Sequence, residues 1–146
     1  KKAFDKAINN SNTVAMSLSD QFCVDRHKPH FLNLVKNKLD ITFANEQEIK
    51  SLIKAKNFEE VVSFSKKLNK LVIVTRGEKG AVAINGEEII ESEIKKNLKI
   101  LDLTGAGDLF AAGFLHGYIN KLPTKECLEQ GTEMSSRVIQ QIGARL

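Results

Sequence analysis

One stretch of this sequence carries most of its chemistry: Leu101-Asp102-Leu103-Thr104-Gly105-Ala106-Gly107-Asp108-Leu109-Phe110-Ala111-Ala112-Gly113-Phe114-Leu115. Its pattern predicts an apolar strand ending at Asp102, a turn of small residues, and then a helix. Gly105, Ala106 and Gly107 leave the backbone uncovered at the helix start. Unpaired N–H groups and the helix dipole make such a place an anion site. Asp108 stands one residue inside that cradle. A carboxylate beside a bound phosphate is unfavourable unless it has a task, and the natural task is to take a proton from an attacking hydroxyl. The residues alone also allow a structural reading, a glycine turn used for packing with an acidic side chain in the first helical turn. The stretch holds no Gly-Lys-Ser/Thr, so it is not a Walker A loop, and it is not the dinucleotide fingerprint GxGxxG.

Two further segments have chemical potential. Asn45-Glu46-Gln47-Glu48 follows an apolar run. An Asn with Glu three residues on has the spacing of a capping box. Thr75-Arg76-Gly77-Glu78-Lys79-Gly80 also follows an apolar run. Its glycines would let backbone approach a ligand closely, or simply turn the chain into the next strand. Arg76 suits either a phosphate or solvent. Cys23 and Cys127 stand alone, without metal spacing or a CxxC partner, and fit free thiols in a reducing compartment. His27 and His30 lack a third ligand, so zinc is not expected. His116 reads as a packing or surface histidine, and Asp25-Arg26, Glu87-Glu88 and Glu91 to Glu93 as solvated charges.

The elements that would position these residues follow from periodicity and punctuation. Residues 1–10 read as a polar helix. Strands are expected at Thr13 to Leu18, Leu39 to Ala44, Leu71 to Thr75 and Lys99 to Asp102, the third being a continuous apolar run of the doubly covered kind. Gly80 to Ile84 and Glu87 to Glu91 flank Asn85-Gly86, a strong hairpin signal. Helices are expected from Pro29 to about Lys38, with Pro in the first turn, and over Glu46 to Ala55, Phe58 to Leu68, Gly105 to Tyr118 and Thr124 to Ile142, with Thr124 as cap. Strands alternating with helices argue for an α/β domain with a mainly parallel sheet.

The composition agrees. The chain has 146 residues, 42% hydrophobic and 27% charged, enough for a soluble core. No apolar run is long enough to span a membrane, and Lys1-Lys2-Ala3-Phe4-Asp5 lacks the apolar region of a signal peptide. A cytoplasmic location is expected. The net charge of +4 comes mostly from scattered lysines. A nucleic-acid partner is not expected, because arginine-rich stripes with exposed aromatics are missing. The chain opens without Met, which suggests a piece of something longer or a processed product.

The stretch around Asp102-x-x-Gly105-Ala106-Gly107-Asp108 resembles the second signature of the ribokinase (PfkB) family of carbohydrate and nucleoside kinases, Asp-Thr-x-Gly-Ala-Gly-Asp. The tail Ala112-Gly113-Phe114-Leu115 fits too, while Leu103 departs from the small or β-branched residue usual there. Asn45 to Glu48 resembles the family's Asn-x-x-Glu motif, and Thr75 to Gly80 its Thr-x-Gly-x-x-Gly segment. All three come in family order, each at the C-terminal end of an expected strand, where open α/β sheets bind ligands. The loop from Ser19 to His27 is similar to one in adenosine-kinase-like bacterial members, with Gln21 where Pro is usual.

The resemblance implies a ribokinase-like fold and roles for particular residues. Asp108 would be the general base toward a substrate hydroxymethyl group. Gly105, Ala106 and Gly107 would stabilise charge on the transferring phosphoryl. Glu48 would organise Mg2+ through water, with Asn45 near the phosphates of ATP. Thr75, Gly77 and Gly80 would line the nucleotide site, and Gly131, Ser135 and Gly143 would lie near it. Asp102, with the region near Gly143, would flank a monovalent cation such as K+. The family runs to about twice this length, so residues 1–146 correspond to its C-terminal nucleotide-binding and catalytic part. The N-terminal substrate and lid half is not in this sequence.

The expected function is an ATP-dependent phosphotransferase acting on a primary hydroxyl of a sugar or nucleoside, inactive as this piece alone. The alternative is a non-catalytic nucleotide-binding module of the same fold. A Rossmann-type protein without phosphoryl chemistry is disfavoured by the missing fingerprint. An exposed sheet edge in an incomplete sheet predicts self-association, for instance as a homodimer.

Overall fold

The structure, a computed structural model, describes residues 2–145, with side chains from residue 5 onward. In chain order the elements are α1 (Lys2–Asn10), β1 (Ala15–Ser17), α2 (Gln21–Arg26), α3 (Lys28–Asn37), β2 (Ile41–Asn45), α4 (Glu46–Ile53), α5 (Phe58–Leu68), β3 (Leu71–Thr75), β4 (Ala81–Asn85), β5 (Glu88–Ser92), α6 (Ala106–Ile119) and α7 (Thr124–Val138). A single 3-10 turn, Gly77–Lys79, joins β3 to β4.

The strands form one five-stranded sheet in the order β1-β2-β3-β4-β5. β1 and β2 are parallel, with Ala15, Met16 and Ser17 opposite Ile41, Thr42 and Phe43. The N–H of Leu71 donates to the carbonyl of Asp40 at 3.2 Å, which sets the start of β3 beside the start of β2. Five residues, closed by Arg76 N–H to Gly80 O at 2.8 Å, then join β3 to its neighbour β4. So short a link cannot make a parallel crossover, so β4 runs back. Gly86, at φ 57°, turns the chain again into β5. Thus β1, β2, β3 and β5 run one way, and the sheet is mostly parallel as expected.

The described residues divide into two compact units. One holds residues 2–73 and 84–88, the other 74–83 and 89–145. In the first, Leu18, Val24, Val35, Leu39, Ile41, Ile49 and Val61 are fully buried. Each such side chain contributes about 1.5–3 kcal/mol by leaving water. In the second, α6 packs against α7 through glycines. A Cβ on Gly113 would stand 2.5 Å from the Gln130 carbonyl, and one on Gly117 3.0 Å from Cys127 Sγ. Phe114 and Leu128 are buried completely.

Several expectations are corrected. Residues 99–102 form no strand. Ile100 and Leu101 are exposed, and the N–H groups of Leu101 and Asp102 both go to the Ile139 carbonyl at the end of α7. Apolar residues there looked like a strand, but no neighbouring strand offers them a ladder. Residues 21–26 are helical, capped by Asp20, whose Oδ1 accepts from the Phe22 N–H at 3.0 Å. Pro123, not Thr124, is the N-cap of α7, and the helix stops at Val138. The hairpin strands sit one residue later than the Asn85-Gly86 signal placed them. Pro29 does stand in the first turn of α3. Cys23 and Cys127 are free, the first exposed and the second buried. Among the described residues no helix is long and apolar enough to cross a membrane.

Candidate active site

In the second unit, Gly105 is the N-cap of α6 in a left-handed conformation, φ 80°, where only glycine is relaxed. A Cβ there would stand 2.8 Å from the Ala144 Cβ, so space forbids one as well. Glycine brings no side chain to cap the helix. The Ala106 N–H reaches the Leu103 carbonyl at 3.2 Å, and the Leu109 N–H starts the helical ladder at Gly105 O, 2.9 Å. Between them, the N–H groups of Gly107 and Asp108 find no acceptor among the described residues. A Cβ on Gly107 would meet nothing within 4 Å, so an anion can come right up to these amides. Of the amides expected here at Gly105, Ala106 and Gly107, that of Ala106 is taken by the Leu103 carbonyl, and the Asp108 amide joins that of Gly107 as a free donor at the positive end of the helix. The Asp108 side chain is exposed in the same first turn.

Ala106 and Gly107 line an open cavity of about 760 Å³, within the range of ligand pockets. The turn after β3 contributes Thr75, Gly77 and Gly80 to its wall. Gly77 and Gly80 both have positive φ, 57° and 79°. Gly80 is also pressed against the Ser92 carbonyl, where a Cβ would clash at 2.0 Å. Lys95, Lys96 and Asn97 form another side, and Thr132, Ser135 and Ser136 of α7 another. Ile94, Leu98, Ile100, Leu103, Phe110 and Ile139 complete the wall, which is therefore mostly apolar, with backbone, hydroxyls and lysine side chains at its polar positions.

Asp102 fixes the loop before α6. Its Oδ1 accepts from the Thr104 N–H at 2.9 Å and the Thr104 hydroxyl at 2.7 Å, and its Oδ2 from the Gly143 N–H at 3.0 Å. The Thr104 hydroxyl first, then the Thr104 and Gly143 N–H groups, hold its carboxyl below the usual aspartate range.

In the first unit, Asn45 and Glu48 make a complete capping box. Asn45 Oδ1 accepts from the Glu48 N–H at 2.8 Å, and Glu48 Oε2 accepts from the Asn45 N–H at 2.9 Å. Asn45 Nδ2 also donates to Glu48 Oε1 at 2.8 Å. Glu48 is buried. Burial pushes its carboxyl above the ordinary glutamate value, the Asn45 N–H pulls it down, and the charge of Asp20 pushes it up.

Comparison with protein families matches residues 1–146 to the pfkB family carbohydrate kinases. The chain belongs to the pfkB family of carbohydrate kinases. It is similar to cytidine kinase of Thermococcus kodakarensis, 35% identical over 115 residues that cover 77% of this chain and 41% of that protein. Among solved structures it is similar to a probable sugar kinase of Rhizobium etli, with TM-score 0.92 and 40% identity, over 99% of this chain and 44% of the other. Adenosine kinase of Sinorhizobium meliloti superposes with TM-score 0.93 at 38% identity, over 99% and 45%. The chain therefore spans less than half the length of these relatives, and its ribokinase-like fold is a partial domain.

The remaining expected site residues of this pfkB chain fall as follows. Gly131 lies against Phe110, where a Cβ would stand 2.8 Å from the Phe110 carbonyl. It serves the contact of α6 with α7, and its neighbours Thr132 and Ser135 line the cavity instead. Gly143, at φ 94°, meets Asp102. Asn45 and Glu48 belong to the first unit, and Thr75, Gly77, Gly80, Asp102 and Gly105 to Asp108 to the second. Among the described residues no three His, Cys, Asp or Glu side chains gather as a metal site. His116 Nδ1 sits 3.0 Å from Gln130 Oε1, a packing role across α6 and α7. Sequence reasoning missed Lys95, Lys96, Asn97 and Thr132. They sit on a connector and a helix face with no motif, and only the fold brings them to the cavity.

Proposed function

We propose that the chain is the nucleotide-binding and catalytic part of an ATP-dependent kinase that phosphorylates a primary hydroxyl of a sugar or nucleoside. The observation that carries this reading is the uncapped start of α6, with two free amides and Asp108 in one turn at a cavity of nucleotide size. Asp108 takes the proton of the acceptor hydroxyl as its oxygen attacks the γ-phosphorus. The new O–P bond forms while the bond to the β-phosphate oxygen breaks, and ADP departs. The amides of Gly107 and Asp108 meet charge on the transferring phosphoryl, where preorganised donors act most strongly. Thr75, Gly77 and Gly80 hold the nucleotide on one wall, Thr132 and Ser135 on another.

The donor set suits Mg2+ held indirectly. Both Glu48 oxygens already accept hydrogen bonds from Asn45, so any part Glu48 took in holding an ion would pass through water. The ion would supply charge neutralisation on the phosphates. A monovalent cation such as K+ beside Asp102 would find a single unused lone-pair direction, on Oδ2.

Calorimetric titration of the folded chain with Mg·ATP tests the reading. Saturable binding that weakens when Gly107 carries a side chain is the expected result. No binding by a folded chain would defeat the proposal for this chain alone. Equal turnover of the complete enzyme with Asp108→Asn would defeat the assignment of the base.

A further inference from the structure

We infer that the segment after α7, residues 139–144, is a clasp that positions the anion-binding amides of α6, with Gly143 and Ala144 as positioning residues. The inference rests on the kinase reading above for what those amides bind.

The loop from Leu101 to Gly105 has no strand ladder of its own. It includes Gly105, the residue type with the most backbone freedom to lose. Something outside the loop must hold it, and one segment does so at successive points. The Ile139 carbonyl takes the N–H groups of Leu101 and Asp102 at 2.8 and 3.3 Å. The Gly143 N–H donates to Asp102 Oδ2 at 3.0 Å, while Oδ1 of the same carboxylate gathers Thr104. Ala144 then packs on the bare face of Gly105, its Cβ 2.8 Å from where a Gly105 Cβ would stand. The left-handed turn at Gly105 sets the direction of the first turn of α6, and hence of the Gly107 and Asp108 amides. Donors aimed in advance bind more tightly than donors that must be ordered by the ligand. Gly143 and Ala144 touch no ligand in this scheme. They act through Asp102 and Gly105.

The test uses the 146-residue chain, a version ending at Ile142, and Asp102→Asn at full length. The truncation keeps Asp102 and every residue of α6, so it separates the clasp from any ligand contact of Asp102. The Asn amide would set a donor against the Gly143 N–H and loosen the same contact with no residue removed. Circular dichroism and urea unfolding establish that each version folds. Amide exchange without ligand is then read at Leu109, whose N–H bonds to Gly105 O, and at Val72 as a distant control. Leu109 should exchange about tenfold faster in both versions, with Val72 unchanged, and the Mg·ATP dissociation constant should rise about tenfold. Unchanged exchange at Leu109 overturns the clasp. Faster exchange with unchanged affinity overturns its positioning role. If the 146-residue chain binds no Mg·ATP, the kinase reading fails, and the exchange comparison alone decides whether the clasp holds the loop.

Discussion

The starts of α4 and α6 pose the same problem and solve it in opposite ways. Each helix begins with N–H groups that its own ladder cannot satisfy. At α4, Asn45 and Glu48 cap two of these groups, each side chain bonding the other's backbone N–H. At α6, Gly105 brings no side chain, and the amides of Gly107 and Asp108 stay open. The first end thus carries a side-chain cap and the second carries none. The contrast explains why a carboxylate means different things at the two ends. Glu48 is buried and occupied, while Asp108 is exposed in a turn that an anion would fill.

The contrast breaks most sharply at Asp108. In the complete enzyme Asp108→Asn should lower kcat by about 10²–10⁴-fold, the usual contribution of a general base. Mg·ATP affinity, read by calorimetry on the chain, should hold. A variant that loses affinity as much as turnover would show the carboxylate to be a structural or binding group.

Next comes Gly107→Glu, which closes the open end artificially. The site is roomy, and an acid in the first turn suits a helix, so urea unfolding should show equal or greater stability. Mg·ATP binding should weaken about 10–100-fold, the worth of one or two hydrogen bonds to a charged group plus repulsion. Stability and binding moving in opposite directions is the signature of an end kept open for function.

Opening the closed end should do the reverse. Asn45→Ala removes the cap and should cost about 1 kcal/mol in urea unfolding. Any effect on Mg·ATP affinity larger than that on stability would show that Asn45 also serves the nucleotide.

Both ends were legible before the fold was known, but unequally. The Asn45–Glu48 spacing gave a capping box and the structure contains one. Small residues before a helix gave the uncovered amides. The run at Leu71 to Thr75 marked a buried strand, since fully covered strands read as unbroken apolar runs, and the alternating, β-branched pattern at Leu39 to Ala44 marked another. What the sequence hid is tertiary. Ile100 and Leu101 have the composition of a strand, but the N–H groups of Leu101 and Asp102 bond to the Ile139 carbonyl at the end of α7. Gly131 resembles a ligand-approach glycine yet serves the approach of α7 to α6. The Gly143–Asp102 contact joins residues 41 apart, and no local pattern announces it. Lys95 sits on an unremarkable connector, although its ammonium pairs with Glu133, which also binds Arg137 at 2.8 Å.

The smallest effect separates the two carboxylates by pH. Asp102 is held below its ordinary value by the Thr104 hydroxyl and by N–H donors. Its contribution to stability is therefore complete above the unfolded value near 4 and is lost as pH falls through the lowered folded value. Glu48 is held above its ordinary value, chiefly by burial. Its contribution favours folding most below about 4.3 and fades as pH rises through the raised folded value. As pH falls toward the unfolded glutamate value of about 4.3, stability should therefore rise slightly as Glu48 takes up its proton, and below the unfolded aspartate value of about 4 it should fall as Asp102 does. Urea unfolding across that range reads both limbs. Asp102→Asn should flatten the acid limb alone and leave the Glu48 limb as it is. If it flattens both, the two carboxylates titrate as one system, and the helix starts at α4 and α6 cannot be treated as independent solutions.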